Sequence, residues 1–118
     1  MDDGALTEML KGVLEGCVMQ ILSHGASYGY EIVKALNQVG FTSVSEGTVY
    51  PILLRLAGKQ LVDVSRERSE MGPPRKVYTL NTAGVGALES FWQRWDYIAA
   101  RLGVIKESKE NSSGQEVA

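Results

Sequence analysis

The 118-residue chain has one cysteine, one histidine and three prolines, and no apolar run long enough to span a bilayer. Each shortage excludes something. Cys17 alone closes no internal disulfide, and without a CxxC pair or a Cys/His cluster no metal site is expected. His24 has neither a second histidine nor a nearby cysteine in sequence, the partners that base or metal chemistry requires. No nucleophile elbow, Walker loop, HExxH or paired-carboxylate motif occurs. Gly84-Val85-Gly86 has the first two glycines of a dinucleotide loop, but no third glycine follows and no buried strand precedes it. Neither an enzyme nor a cofactor is therefore expected. Met1-Asp2-Asp3-Gly4 is acidic where a signal peptide is basic, and Lys11 and Glu15 interrupt the longest apolar-rich stretch, so the expected location is the cytoplasm, with no membrane partner.

What is present suits one small globular domain: 44% of the residues are apolar, and the length supports a single core. The net charge of −2 is unevenly spread. Residues 1–58 carry three cations against six anions, whereas residues 59–80 carry five cations, Lys59, Arg66, Arg68, Arg75 and Lys76, against three anions. Any contact with a polyanion must be focal, made by that short segment.

Apolar residues Leu6, Leu10, Val13, Leu14, Cys17, Val18, Ile21 and Leu22 recur at helical spacing, predicting one helix over 6–23 that Gly25 terminates. Ser27 is a candidate cap for a second helix over 28–39, with Ile32, Leu36 and Val39 inward and Gly40 ending it. A third helix begins at Ser45, its inner stripe formed by Val49, Ile52, Leu53 and Leu56, and Gly58 marks its stop. Its outer face carries Gly47, Tyr50, Pro51 and Leu54, with Thr48 and Arg55 on one flank, where a solvated helix would show Glu, Lys and Gln. That face is either made to touch something or reflects a helix shortened, bent or broken at Pro51.

Runs 61–66 and 75–80, rich in valine with Tyr78 and Thr79, read as two strands of a hairpin around Met71-Gly72-Pro73-Pro74. The basic tip is either simply solvated or a binding element. After Thr82, Leu88, Trp92, Trp95, Ala99 and Leu102 form a heptad-like seam that Phe91 and Ile98 widen, a helix that favours packing on another helix. Beyond Lys106 the polar composition predicts a disordered tail over 106–118.

This order of helix, helix, helix, strand, basic turn, strand is that of a winged helix. Three blocks carry a closer resemblance: Tyr28-Gly29-Tyr30-Glu31-Ile32, then Ser45-Glu46-Gly47-Thr48-Val49-Tyr50-Pro51-Ile52-Leu53-Leu54-Arg55-Leu56, then Gly72-Pro73-Pro74-Arg75-Lys76-Val77-Tyr78-Thr79-Leu80. Over residues 5–103 the chain resembles the PadR family of transcriptional regulators. Ala57-Gly58 departs from the family, which often has a glutamate and a basic residue there.

The resemblance implies a mainly α fold with a small β-hairpin: a winged helix-turn-helix DNA-binding domain over 5–80, then a dimerisation helix over 82–105. It implies a homodimeric repressor on double-stranded DNA with ATGT…ACAT inverted repeats. On that footing Tyr28, Lys34, Arg75 and Lys76 contact phosphates, with Arg55 on the flank; Ser45 and Thr48 donate at the start of the third helix; Gly47, Tyr50 and Pro51 meet the bases. Tyr28 and Tyr50 have packing against neighbouring helices as their alternative role. Leu88, Phe91, Trp92, Trp95, Ile98, Ala99 and Leu102 would pair the subunits. Some members of the family bind planar aromatic drugs or phenolic acids between subunits, which makes Met9, Trp92 and Asp96 candidate effector contacts; Trp92 and Trp95 otherwise only fill the dimer core. The other reading of the same outer face is a winged-helix module that docks a protein.

Overall fold

A computed structural model describes Met1 and residues 3–111, with side chains through Ser108. Two units follow one another along the chain, Met1–Leu88 and Glu89–Ala118. The first contains α1 (Gly4–Leu10), α2 (Leu14–Ser23), β1 (Ser27–Tyr28), α3 (Gly29–Gln38), α4 (Glu46–Gly58), β2 (Val62–Glu67) and β3 (Arg75–Leu80). The last helix, α5 (Thr82–Asn111), begins in the first unit and supplies the described part of the second.

The helix expected over 6–23 is two. Gly12, a weak helix former, lies in a turn at 11–13 closed by short-range bonds, Lys11 N–H to the Glu8 carbonyl and Val13 N–H to that of Leu10. The buried stripe survives the break: Leu10, Leu14, Val18 and Leu22, four residues apart, all face the core. Ser27 does not cap α3. It pairs with Tyr78 in β1, a strand too short to show a period, and Tyr28 takes the cap position, its N–H donating to the Glu31 carboxylate at 2.8 Å. Val39, expected inward, is 70% exposed because α3 ends at Gln38 and the chain leaves the helical stripe. Gly40 then takes φ +110°, and the Asn37 side chain donates to the Phe41 and Val44 carbonyls, shaping the turn into α4.

α4 runs unbroken through Pro51 to Gly58, so it is neither short nor interrupted. The proline removes the N–H that would bond the Gly47 carbonyl, but both residues are exposed and water can serve that oxygen. The helix ends at Gly58, as expected, and Gln60 rather than a glycine adopts the left-handed turn that follows, at φ +60°. β2 and β3 form the expected hairpin from Val62 opposite Leu80 to Glu67 opposite Arg75, and β1 joins on the free side of β3 to give the order β1-β3-β2.

Ile32, Leu36, Leu53, Leu56, Val18 and Val49 are the most deeply buried side chains, so three helices meet at one core, with Val62, Val77 and Tyr78 of the sheet against it. Leu88, expected in the seam of the last helix, is 7% exposed and belongs to the first unit, Met1–Leu88. Gly84 is a packing glycine: a Cβ there would stand 2.1 Å from the Leu61 carbonyl oxygen. The helix also passes the expected boundary at Lys106 and continues to Asn111, since Glu and Lys extend a formed helix at little cost. The remaining expected tail, 112–118, lies outside the described residues.

Candidate nucleic-acid interface

The stripe of α4 that points into the core leaves the opposite face to solvent. Val49, Ile52, Leu53 and Leu56 are buried, while Gly47, Thr48, Pro51 and Leu54 are exposed. Ser45 holds the N-cap position but makes no capping hydrogen bond with its side chain. Gly47 has open space around it: an added Cβ would meet nothing nearer than the Ser45 hydroxyl at 3.6 Å. Tyr50 does two things. Its ring packs so closely on Gly29 that a Cβ there would lie 2.8 Å from two ring carbons, yet 40% of the residue is exposed.

The start of α3, the start of α4 and the wing, the β2–β3 hairpin with its connecting turn, border a cleft of about 300 Å³ lined by Tyr28, Tyr30, Glu46, Tyr50, Pro74, Arg75 and Lys76. Tyr28 and Tyr30 stack with centroids 5.6 Å apart and planes 8° from parallel, and the Arg75 guanidinium lies 5.9 and 5.8 Å from the two centroids. The Tyr28 hydroxyl donates to the Glu67 carboxylate. That bond, with lesser contributions from burial and the carboxylate's charge, raises the Tyr28 phenol above its usual value, so the proton stays on oxygen. Burial likewise raises the Tyr78 phenol on β3.

Of the residues expected to meet DNA, Tyr28, Tyr50, Arg75 and Lys76 line this cleft. Lys34 is exposed on α3 and Ser45, Gly47, Thr48 and Pro51 sit on α4 outside the cleft lining. Arg55 has a different engagement. Its Nε is 3.1 Å from Glu15 Oε2, and Lys59 Nζ is 3.0 Å from Glu15 Oε1, so α2 holds both cations at the end of α4. Burial alone would raise the Glu15 carboxyl, but the hydrogen bonds and charges of Lys59 and Arg55 outweigh it and leave the group below its usual value. Tyr30, Glu46, Pro74 and Glu67 complete the surroundings, residues to which the sequence assigns no contact with DNA.

In the second unit Trp92, Trp95, Ile98 and Leu102 are 38%, 39%, 50% and 56% exposed, Ala99 is exposed and Phe91 half-buried. Phe91 and Trp92 meet edge to face at 5.0 Å. Asp96 is exposed there, and Met9 is exposed in the first unit. Among the described residues no cluster of three His, Cys, Asp or Glu side chains could hold a metal ion, and no helix is long and apolar enough to cross a membrane.

The chain matches the transcriptional regulator PadR-like family over residues 18–90. It belongs to that family. A PadR-like transcriptional regulator from Bacillus cereus is 42% identical, with a TM-score of 0.74 over 85% of this chain and 97% of the other. A Streptococcus transcriptional regulator is 39% identical, with a TM-score of 0.73 over 83% of this chain and 96% of its own. Bacillus subtilis PadR, solved in complex with operator DNA, shares the fold at 23% identity and a TM-score of 0.62 over 68% of this chain and 45% of its own. The winged helix and the long last helix are thus those of a PadR-family transcriptional regulator.

Proposed function

We propose that this PadR-family protein is a sequence-specific DNA-binding repressor acting as a homodimer on an inverted-repeat operator. The observation that carries the reading is the union of two features on one surface. An exposed helix face without charge, Gly47, Tyr50, Pro51 and Leu54, lies beside a strand whose Arg75 and Lys76 are exposed and line the cleft. Because Glu67 takes the Tyr28 hydroxyl, phosphate contact falls to Arg75, Lys76 and Lys34. Ser45 and Thr48 donate at the start of α4, and Tyr50 and Pro51 meet base edges and thymine methyls. Arg55 drops out, since Glu15 holds it. Nothing in the packing requires glycine at 47, whereas close approach of the backbone to a groove does.

Dimerisation is supported by the exposed strip of Trp92, Trp95, Ile98 and Leu102, apolar surface of a kind that a second copy would cover. Two copies present two sets of cations at half-site spacing, which compensates for the acidity of each chain. The release signal in this reading is a planar aromatic or phenolic compound stacking on Trp92, with Asp96 as a further contact.

The test is binding of a labelled ATGT…ACAT duplex and of a scrambled duplex across a salt series. Arg75→Ala weakens both and lowers the slope of log K against log salt by about 0.9 per subunit, and Tyr50→Ala changes the ratio between them. Absence of binding in dilute buffer, or an unaltered Arg75→Ala variant, contradicts the reading and leaves the α4 face to a protein partner.

A further inference from the structure

In an antiparallel hairpin, opposite charges on facing positions ordinarily pair. Glu67 and Arg75 face each other on the last rung of the β2–β3 ladder, yet the ion pairs among the described residues do not join them. The carboxylate instead accepts the hydroxyl of Tyr28, 39 residues away in the chain. The guanidinium stands astride the stacked rings of Tyr28 and Tyr30, within 6 Å of both centroids. A cation–π contact orients a guanidinium without neutralising it, whereas a carboxylate partner would cancel the charge that a phosphate has to find.

We propose that Tyr28 is a positioning residue of the DNA-binding surface: its hydroxyl holds the Glu67 carboxylate, so that Glu67 is kept from pairing with Arg75 and the guanidinium stays free for phosphate. This inference rests on the DNA-binding reading above. It assigns the Tyr28 hydroxyl to Glu67 rather than to the nucleic acid.

The experiment compares Tyr28→Phe, Glu67→Gln and the double variant with the natural chain, on the same duplex and salt series. Phenylalanine keeps the ring that stacks on Tyr30 and frees the carboxylate for Arg75. Tyr28→Phe should therefore lose about tenfold in affinity, the weight of one charged hydrogen bond, and about 0.9 per subunit in salt slope. Glu67→Gln should bind as tightly as the natural chain or more tightly, and the double variant should regain the natural affinity to within about twofold, since it has no carboxylate left to capture Arg75. The Arg75 Nε–H resonance in the DNA-free protein supplies a second readout: it should move in Tyr28→Phe and return in the double variant. A double variant as weak as Tyr28→Phe, or an Arg75 resonance indifferent to Tyr28→Phe, overturns the proposal while leaving DNA binding intact. A natural chain that binds no duplex overturns the functional reading and this inference with it.

Discussion

Gly84 offers the sharpest test of the packing. It occupies the first turn of α5, where its N–H donates to the Asn81 side chain at 2.9 Å, and a Cβ would fall 2.1 Å from the Leu61 carbonyl oxygen and 2.5 Å from Leu80 Cδ1. Helix propensity alone would favour alanine there by up to about 1 kcal/mol. The obstruction is a backbone oxygen that also accepts the Asn81 N–H at 3.2 Å, so it cannot retreat without loosening the junction between β2 and α5. Overpacking of this kind costs about 1–3 kcal/mol and wins over propensity. Gly84→Ala is expected to lose about 2 kcal/mol, lowering the midpoint of thermal unfolding by roughly 6–10 °C in a chain of this size. Gly86→Ala is the matched control: same helix, two residues on, with nothing within 4 Å of the added carbon. It should gain about 0.5–1 kcal/mol. Circular-dichroism melts of both variants decide the matter, and a Gly84→Ala protein as stable as the natural chain would refute the reasoning.

Gly47→Ala separates folding from function: with open space around it in a helix, the protein should melt at the same temperature or a few degrees higher, while duplex binding measured by anisotropy falls at least tenfold. Gly29→Ala should displace the Tyr50 ring, a movable side chain, so stability changes little and the preference for operator over scrambled duplex declines in competition binding. Glu15→Gln removes the carboxylate shared by Arg55 and Lys59. Its folded-state pKa lies below the usual 4.5, so its stabilisation is present above that value and lost as pH falls through the lowered one. Urea titrations should therefore show the variant weaker by up to about 1 kcal/mol at neutral pH, the difference shrinking as the pH falls through that lowered value. Planar dyes should quench tryptophan fluorescence in the natural chain and not in Trp92→Ala; no quenching across a broad panel would remove the effector from the reading.

Periodicity made much of the fold legible. The alternation of three- and four-residue steps in Val49, Ile52, Leu53 and Leu56 identified both the buried stripe of α4 and, by elimination, its exposed face. The β-branched runs around Met71-Gly72-Pro73-Pro74 identified the hairpin. The missed features depend on partners distant in sequence. β1 is two residues long and exists because β3 pairs with it; Glu67 meets Tyr28 39 residues away; Arg55 meets Glu15 40 residues away. No local pattern signals such partnerships. The break at residues 11–13 carried a local sign in Gly12, which the continuous apolar stripe outweighed, because Leu10 and Leu14 keep their spacing across the turn.

The central claim is that one surface, the outer face of α4 together with the wing, meets duplex DNA. Backbone amide shifts recorded while an inverted-repeat duplex is titrated into the labelled protein test it most directly. The account predicts the largest changes at Gly47, Thr48, Tyr50, Leu54, Arg75 and Lys76, with Glu15 and Arg55 little affected. Shifts confined to other faces of the protein, or none at all in dilute buffer, would contradict it.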